Sequence, residues 1–237
     1  MIVFKNIKDD LNGFADEKKS GFLPKFFKAF PGGYGEGDLF LGVTVPHQRT
    51  IARKYYKVIS HGETELLLRG VFHEYRLTAI FILVMKYEKS SSEKDKDAII
   101  SLYLDNLDFI NNWDLVDSSA YKLLGAWLYK RDKDLLYELA LSDNLWKQRI
   151  SIISTLFFIR NGCYQDTLNL AVLLLNHEHD LIHKAVGWML REIGNRDPEI
   201  EMEFLKKHYR KMPRTMLRYA IEKFDQDLRL GFMKGTV

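Results

Sequence analysis

The feature that most constrains this chain of 237 residues is an apolar periodicity that runs through most of its length. Apolar side chains recur every three to four residues, the spacing that places them on one face of an α-helix. The segments with this spacing are residues 72–88, 118–130, 133–141, 145–160, 164–175, 180–194, 199–210 and 214–225. No segment shows the alternation of a β-strand. We therefore predict an all-α protein.

Residues that end and begin helices separate these segments. Asn161-Gly162 and Gly194-Asn195 are typical of helix ends, and Asp197-Pro198 of a helix start. Ser142-Asp143-Asn144 offers side-chain caps, and Met212-Pro213 separates the last two helices. Because the short helices form pairs of about 35–40 residues, we predict an α-solenoid of about six HEAT-like pairs, curved and with a concave binding face. No Pro-, Gly- or Ser-rich linker divides the chain, so we expect residues 1–237 to form a single domain.

The repeat is visible in four positions rather than in sequence identity. Arg76, Trp113, Arg149 and Trp188 follow one another at intervals of 37, 36 and 39 residues. Equivalent positions of stacked repeats line up on one face, so this row would form a binding strip. Coincidence is the alternative explanation.

Two segments predict loops. Residues 31–42, PGGYGEGDLFLG, contain five glycines, follow a helix-like run and lack the Lys-Ser/Thr of a P-loop. This context argues against a nucleotide site, which needs a strand before the loop. We expect an ordered loop here, and a polar surface connection at residues 90–97.

The charge is unevenly distributed. The net charge is +3, from 35 basic and 32 acidic residues, yet residues 204–221 contain six basic residues and no acid. These six are Lys206, Lys207, Arg210, Lys211, Arg214 and Arg218. Such a patch fits a surface that binds a polyanion. A solvated helix end explains it equally well.

Three tryptophan-containing segments offer candidate site residues. Trp113 and Asp117 lie on one face if their segment is helical, while Asp114 points elsewhere and would cap the helix. Arg149 lies near a helix N-terminus, where a cation is favoured only beside an anion such as phosphate. Trp188 follows Gly187. A glycine inside a helix lowers its stability, and the close approach of another helix or a ligand would explain why one is present here. The alternatives are core tryptophans, a first-turn aspartate and a surface arginine paired with an acid.

Other classes of function are excluded by what the sequence lacks. The single cysteine, Cys163, excludes an internal disulfide and a cysteine-based zinc site. The seven histidines form no HExxH pattern, and we expect neither a metal nor another cofactor. With no apolar run long enough for a membrane span and no signal peptide, we expect a cytoplasmic protein.

Several segments, taken together and in order, resemble the AlkD-type DNA glycosylases, an alkylation-repair family built of HEAT-like repeats. The segments are FLGVTVPHQR (40–49), NNWDLVD (111–117), SDNLWKQRISI (142–152), HKAVGWMLREIG (183–194) and, for one branch, MPRTMLRYAIEKF (212–224). The resemblance covers residues 20 to 230. It implies a monofunctional enzyme that excises positively charged N3- or N7-alkylated purines from duplex DNA, leaving an abasic site. It also implies a concave DNA-binding face and no deep pocket for the base.

The resemblance assigns roles residue by residue. Asp117 matches the catalytic carboxylate, which opposes positive charge that develops on the deoxyribose. Trp113 and Trp188 match the aromatic pair beside the lesion sugar, and Arg149 matches a phosphate contact. The basic residues of segment 204–221 would bind duplex phosphates. The family's members work without a metal or cofactor, and its small size suggests a monomer acting at the bacterial nucleoid.

The chain departs from the family at its N-terminal end. Phe26 or Phe27 stands where the best-known members carry a tyrosine, and the PGGYGEGD insertion is absent from that branch. Tyr34, inside the insertion, is a candidate substitute on the lesion face. Two further functions stay open: a DNA-binding paralogue without catalysis, which could prefer branched DNA, and a protein-interaction scaffold. Asp117 favours catalysis, because a carboxylate would repel phosphates in a protein that only binds.

Overall fold

A computed structural model describes residues 1–237 and confirms the all-α prediction. The chain has no β-strand, and a single β-bridge pairs Leu39 with Phe72. It divides into two compact units, the N-terminal unit (Met1–Ser119) and the C-terminal unit (Ala120–Val237). The single domain over residues 1–237 stays a prediction. Every helix is too short or too polar to cross a membrane.

The N-terminal unit contains seven α-helices, and the longest of them is buried at its centre. The helices are α1 (Ile2–Asn12), α2 (Glu17–Phe26), α3 (Val45–Tyr55), α4 (His61–Leu68), α5 (His73–Lys89), α6 (Glu93–Asp105) and α7 (Trp113–Ser119). α5 packs against α3, α4, α6 and α7, which explains why its apolar stripe is broad. α6 begins at Glu93 with Ser92 as its cap, so the prediction of a connection through residue 97 was wrong. Acidic first-turn residues made that turn look like a polar loop.

The C-terminal unit is also built around one central helix. Its helices are a π-helical turn (Tyr121–Gly125), α8 (Ala126–Leu128), α9 (Asp134–Leu141), α10 (Leu145–Ser154), α11 (Leu156–Arg160), α12 (Gln165–Leu173), α13 (Asp180–Gly194), α14 (Pro198–His208), α15 (Arg214–Ala220) and α16 (Gln226–Lys234). α13 packs against α10, α12, α14 and α15. In this unit, α16 is the only helix that lies wholly outside the segments predicted to be helical.

Side-chain caps fix several helix starts where the sequence predicted them. The Asn144 side chain accepts hydrogen bonds from the backbone N–H groups of Trp146 and Lys147, at 2.9 and 3.1 Å. Asp197 accepts one from Ile200 N–H at 3.3 Å, with Pro198 as the first helical residue. Capping of this kind satisfies backbone donors that have no partner within the helix.

Gly187 allows α15 to approach α13 closely. A Cβ at this position would lie 2.4 Å from the carbonyl oxygen of Met216 and 2.5 Å from Cβ of Tyr219. Of the two explanations for this glycine, a neighbouring helix or a ligand, the structure shows a helix.

The glycine-rich segment is an ordered loop, as predicted. Gly42 has a φ of +82°, and a Cβ there would lie 2.2 Å from the carbonyl oxygen of Asp16, so the close approach to α2 needs glycine. The neighbouring Leu41 carbonyl accepts a hydrogen bond from Asp16 N–H at 2.9 Å. The loop is thereby held against the start of α2.

A buried group of charged side chains ties this loop to α5 and α7. His73 Nδ1 lies 3.1 Å from Asp38 Oδ2 in the loop, and His73 Nε2 lies 2.9 Å from Asp114 Oδ2 in α7. Arg76 donates to the other oxygen of Asp38, and Asn112 Nδ2 donates to Asp38 Oδ2 at 3.2 Å. We call Asp38, His73, Arg76 and Asp114 the ion cluster. It joins three segments that are distant in sequence.

The ion cluster keeps its histidine protonated. Burial alone would lower the pKa of His73, but the carboxylates of Asp114 and Asp38 raise it to about 9. Burial opposes ionisation of Asp38, yet His73 and Arg76 outweigh it and hold the pKa of that carboxyl below its usual range. At neutral pH an imidazolium therefore donates to two carboxylates, which makes these hydrogen bonds charge-assisted.

We expect protein stability to fall with rising pH because of His73. Its pKa of about 9 in the folded protein exceeds the ordinary 6.5, so its stabilisation is complete below pH 6.5 and is lost as pH rises through 9. The free energy of unfolding should drop by about 2–3 kcal/mol across this range. Urea unfolding at a series of pH values measures it. His73→Gln should abolish this drop, whereas exposed His61→Gln should keep it; an equal drop in both variants would contradict the assignment.

Gly187→Ala should destabilise the protein by about 1–3 kcal/mol, because the new methyl group clashes with the backbone of α15. Gly21→Ala is the matched control, since Gly21 also lies inside a helix and a Cβ there meets no atom within 4 Å. That variant should be neutral or more stable by about 0.5–1 kcal/mol. Thermal unfolding compares them, and equal melting temperatures would refute the close helix contact.

Candidate nucleic-acid interface

Trp113 and Asp117 lie one turn apart on α7, so the predicted common face is present. Both side chains are half-buried. At the start of this helix, the Asn112 side chain accepts a hydrogen bond from Trp113 N–H at 2.9 Å. The prediction that Asp114 caps the helix was wrong, because Asp114 binds His73 instead. Two carboxylates of one short helix thus lie in different surroundings.

Both phenylalanines expected on the lesion face contact Trp113. The ring of Phe27 stacks on Trp113 with centroids 5.6 Å apart, and Phe26 meets it edge-on at 6.0 Å. Phe27 is 7% exposed, whereas Phe26 is 51% exposed. Phe26 therefore presents an aromatic surface beside Trp113, while Phe27 supports it from below. Tyr34 is half-buried in the loop, with Lys28 Nζ 5.5 Å from its ring centroid.

Behind this aromatic group lies a cavity of about 430 Å³ that the sequence did not predict. α2, α3, α5, the loop and the first turn of α7 form its walls. Its lining combines aromatic and aliphatic side chains with His73, Glu74 and Asp114. Because these residues come from segments far apart in the chain, no local pattern indicates that they meet.

In the C-terminal unit, Trp188 and Arg149 differ in exposure. Trp188 is half-buried on α13, and its Nε1 donates to Glu192 Oε1 at 3.3 Å. Arg149 is only 5% exposed and donates to the Leu181 carbonyl. Its burial also rules out the alternative of a surface arginine. Arg76 is buried in the ion cluster, so a binding strip made of all four repeat positions was wrong.

The six basic residues of segment 204–221 are all exposed. They lie in the last turn of α14, in the connection that follows and in α15. Two of them donate hydrogen bonds to neutral oxygens: Arg210 to the Tyr209 hydroxyl at 3.0 Å and Arg214 to the Met233 carbonyl at 2.8 Å. These residues form a cationic surface that acids of the same chain do not neutralise. We call it the basic surface.

No group of three His, Cys, Asp or Glu side chains is arranged to hold a metal ion. The histidines before α13 instead organise local backbone. His177 Nε2 lies 2.8 Å from Gln148 Oε1, and its Nδ1 accepts a hydrogen bond from His179 N–H at 2.9 Å.

Solved structures of three bacterial proteins are similar to this chain. A predicted DNA alkylation repair enzyme from Enterococcus faecalis is 17% identical with a TM-score of 0.69, covering 90% of this chain and 97% of its own. AlkD2 from Streptococcus mutans is 16% identical with a TM-score of 0.55, covering 89% of this chain and 99% of its own. The smu.31 protein of Streptococcus mutans UA159 is 15% identical with a TM-score of 0.54, covering 87% and 100%. These similarities establish a shared fold.

None of the curated proteins matches the chain. The family model described as DNA alkylation repair enzyme matches residues 7–224, which is most of the sequence. This range includes the ion cluster, α7, α13 and the basic surface. The chain therefore belongs to the DNA alkylation repair enzyme family.

Proposed function

We propose that the protein is a monofunctional DNA glycosylase that excises N3- and N7-alkylated, positively charged purines from duplex DNA. The observation that carries this proposal is the pairing of Trp113 and Asp117 on one face of α7, with exposed Phe26 beside the tryptophan. Membership of the alkylation-repair family supports the same conclusion. The product is an abasic site and a free base.

The chemistry needs little beyond a well-placed carboxylate. A cationic base is already a good leaving group, so positive charge develops on the deoxyribose as the glycosidic bond breaks. Asp117 stabilises that charge and orients the attacking water. The ring of Trp113 packs against the sugar, where attraction between a cation and a ring face favours the same transition state. The resemblance gives Trp188 the same role. No lysine nucleophile, metal or cofactor takes part.

Two groups of cations hold the DNA in this proposal. The basic surface binds duplex phosphates regardless of sequence, with the salt sensitivity that follows from counterion release. Arg149 is the proposed phosphate contact near the lesion, with 5% of the residue exposed. The protein acts as a monomer in the cytoplasm, at the nucleoid.

A DNA-binding paralogue without catalysis and a protein scaffold are the competing functions. Asp117 distinguishes an enzyme from the DNA-binding paralogue, since a carboxylate that faces a sugar and its phosphates weakens DNA binding. The basic surface disfavours a scaffold only in part, because acidic protein partners exist. Measured excision and the salt dependence of DNA binding distinguish all three functions.

Asp117→Asn should reduce excision at least about tenfold and leave duplex binding equal or tighter, because a neutral amide does not stabilise the developing cation. Single-turnover excision from duplex DNA containing 7-methylguanine, scored as alkali-labile sites, measures the first effect. Asp105→Asn, at the exposed end of α6, is the control and should excise normally. Unchanged excision by Asp117→Asn would remove this residue from catalysis.

Arg214→Glu combined with Arg218→Glu should weaken duplex binding about tenfold or more at low salt. The plot of log affinity against log salt should also become flatter, by about one to two units of slope. Lys89→Glu with Lys94→Glu makes the same charge change on exposed residues of the N-terminal unit and should alter the slope less. Equal slopes for wild type and the α15 variant would place the DNA elsewhere.

A further inference from the structure

A row of aromatic rings runs along the surface of α2 and onto α7. Phe22 is 59% exposed and Phe26 is 51% exposed, although both are large apolar side chains. Their ring centroids lie 6.1 Å apart, and the Phe26 centroid lies 6.0 Å from that of half-buried Trp113. We call Phe22, Phe26 and Trp113 the aromatic row. All three belong to the N-terminal unit.

The two exposed rings do not serve the packing of α2. Other residues of this segment face inward: Leu23 is half-buried, and Phe27 is buried against Phe40 and His73. Grouped apolar side chains that stay in contact with water are typical of surfaces that bind a partner. The aromatic row is therefore a candidate binding surface.

The charge around the aromatic row is positive. Residues 18–35 contain four lysines and no acid. Lys19 pairs with Asp16 at 2.7 Å. The other three are exposed and form no ion pair: Lys18, Lys25 and Lys28. The first two lie four and three residues from Phe22, on the same face of α2. Lysines beside exposed rings fit a partner that carries both negative charge and flat apolar groups.

Lys28 stands where the backbone itself would favour glycine. Its φ is +49°, in the left-handed region, and it is the one residue other than glycine with a positive φ. This conformation costs free energy for a residue with a Cβ, whereas glycine adopts it freely. The side chain is exposed, and its Nζ lies 5.5 Å from the ring centroid of Tyr34. A lysine here adds a surface charge that the fold does not require.

We propose that the aromatic row and its three unpaired lysines bind unpaired bases of single-stranded DNA. The lysines attract the phosphates, and successive bases stack on Phe22 and Phe26. Because every base has a flat face, this binding is independent of sequence, and an open surface suffices for it. The inference goes beyond excision, since neither stacking nor phosphate binding needs the Asp117 carboxylate.

A membrane surface is the competing partner for exposed rings beside lysines. Two exposed rings on a helix of 10 residues offer little apolar area to insert into a bilayer. The family model described as DNA alkylation repair enzyme includes all of α2, which favours DNA.

Two labelled oligonucleotides of equal length test the proposal by fluorescence anisotropy, an oligodeoxythymidylate and an abasic oligomer with the same sugar-phosphate backbone. Both carry the same phosphates, so cations elsewhere on the protein bind them equally, and the ratio of the two affinities reports stacking. Wild type should bind the thymidylate at least about tenfold tighter. Equal affinities would overturn the proposal.

Phe22→Ala should reduce this ratio at least about fivefold, because one stacking ring is lost. Phe14→Ala is the matched control, since Phe14 is 47% exposed in the same unit but stacks on His47, outside the aromatic row. It should keep the wild-type ratio. A wild-type ratio in folded Phe22→Ala would show that bases stack elsewhere, and the proposal would fail.

Lys28→Gly separates binding from folding. It should melt at the same temperature as wild type or higher, because glycine relieves the left-handed backbone. The slope of log affinity for the thymidylate against log salt should become flatter by about 0.7, the value for one phosphate contact of a single strand. Lys94→Gln, which removes an exposed charge from α6, should keep the slope. An unchanged slope in Lys28→Gly would contradict the role of this lysine.

Vesicles and excision distinguish the remaining outcomes. Binding to phosphatidylglycerol vesicles that Phe22→Ala abolishes, together with equal affinities for the two oligonucleotides, would replace DNA with a membrane as the partner. If wild type prefers the thymidylate but releases no base from alkylated duplex, the glycosylase fails and this surface stands. Equal affinities with normal excision would refute the surface alone.

Discussion

The imidazolium of His73, held between the carboxylates of Asp38 and Asp114, joins the glycine-rich loop, α5 and α7 in the interior of the N-terminal unit. Removing one member of a buried ionic group costs about 3–5 kcal/mol, because the remaining charges lose their partners. The geometry therefore depends on all members being present. It fixes the first turn of α7, which carries Trp113, and it brings Phe40 against His73. The aromatic surface and the cavity behind it both follow from this arrangement.

Two aspartates only three positions apart on α7 have different environments, and this difference underlies their proposed roles. Asp114 is committed to His73 and to the interior. Asp117 shares the half-buried face of Trp113. Asp114 anchors the helix to the interior, whereas Asp117 is the carboxylate that the proposed function places beside the sugar.

Local sequence patterns predicted those features of the fold that interactions between neighbouring residues determine. Helix periodicity and capping residues identified α5 and most helices after it, since Asn144 and Asp197 act on backbone groups only a few residues away. These patterns did not predict contacts between segments that are far apart in the sequence. Arg76 looked like a surface cation by its spacing, but Asp38 draws it into the interior across 38 residues. For the same reason, the sequence did not predict the cavity, whose lining comes from segments far apart in the chain. The resemblance singled out Asp117 and Trp113 as candidates, whereas the residues that pack around Trp113 became visible only in three dimensions.

The most direct test of the proposed function is to identify what wild-type protein releases from a bound duplex that contains 7-methylguanine. Chromatography of the reaction under single-turnover conditions separates free base from larger products. A monofunctional glycosylase yields free 7-methylguanine and abasic sites in equal amounts, with the strand intact until alkali treatment. A duplex that stays bound and releases no base would contradict the proposed function.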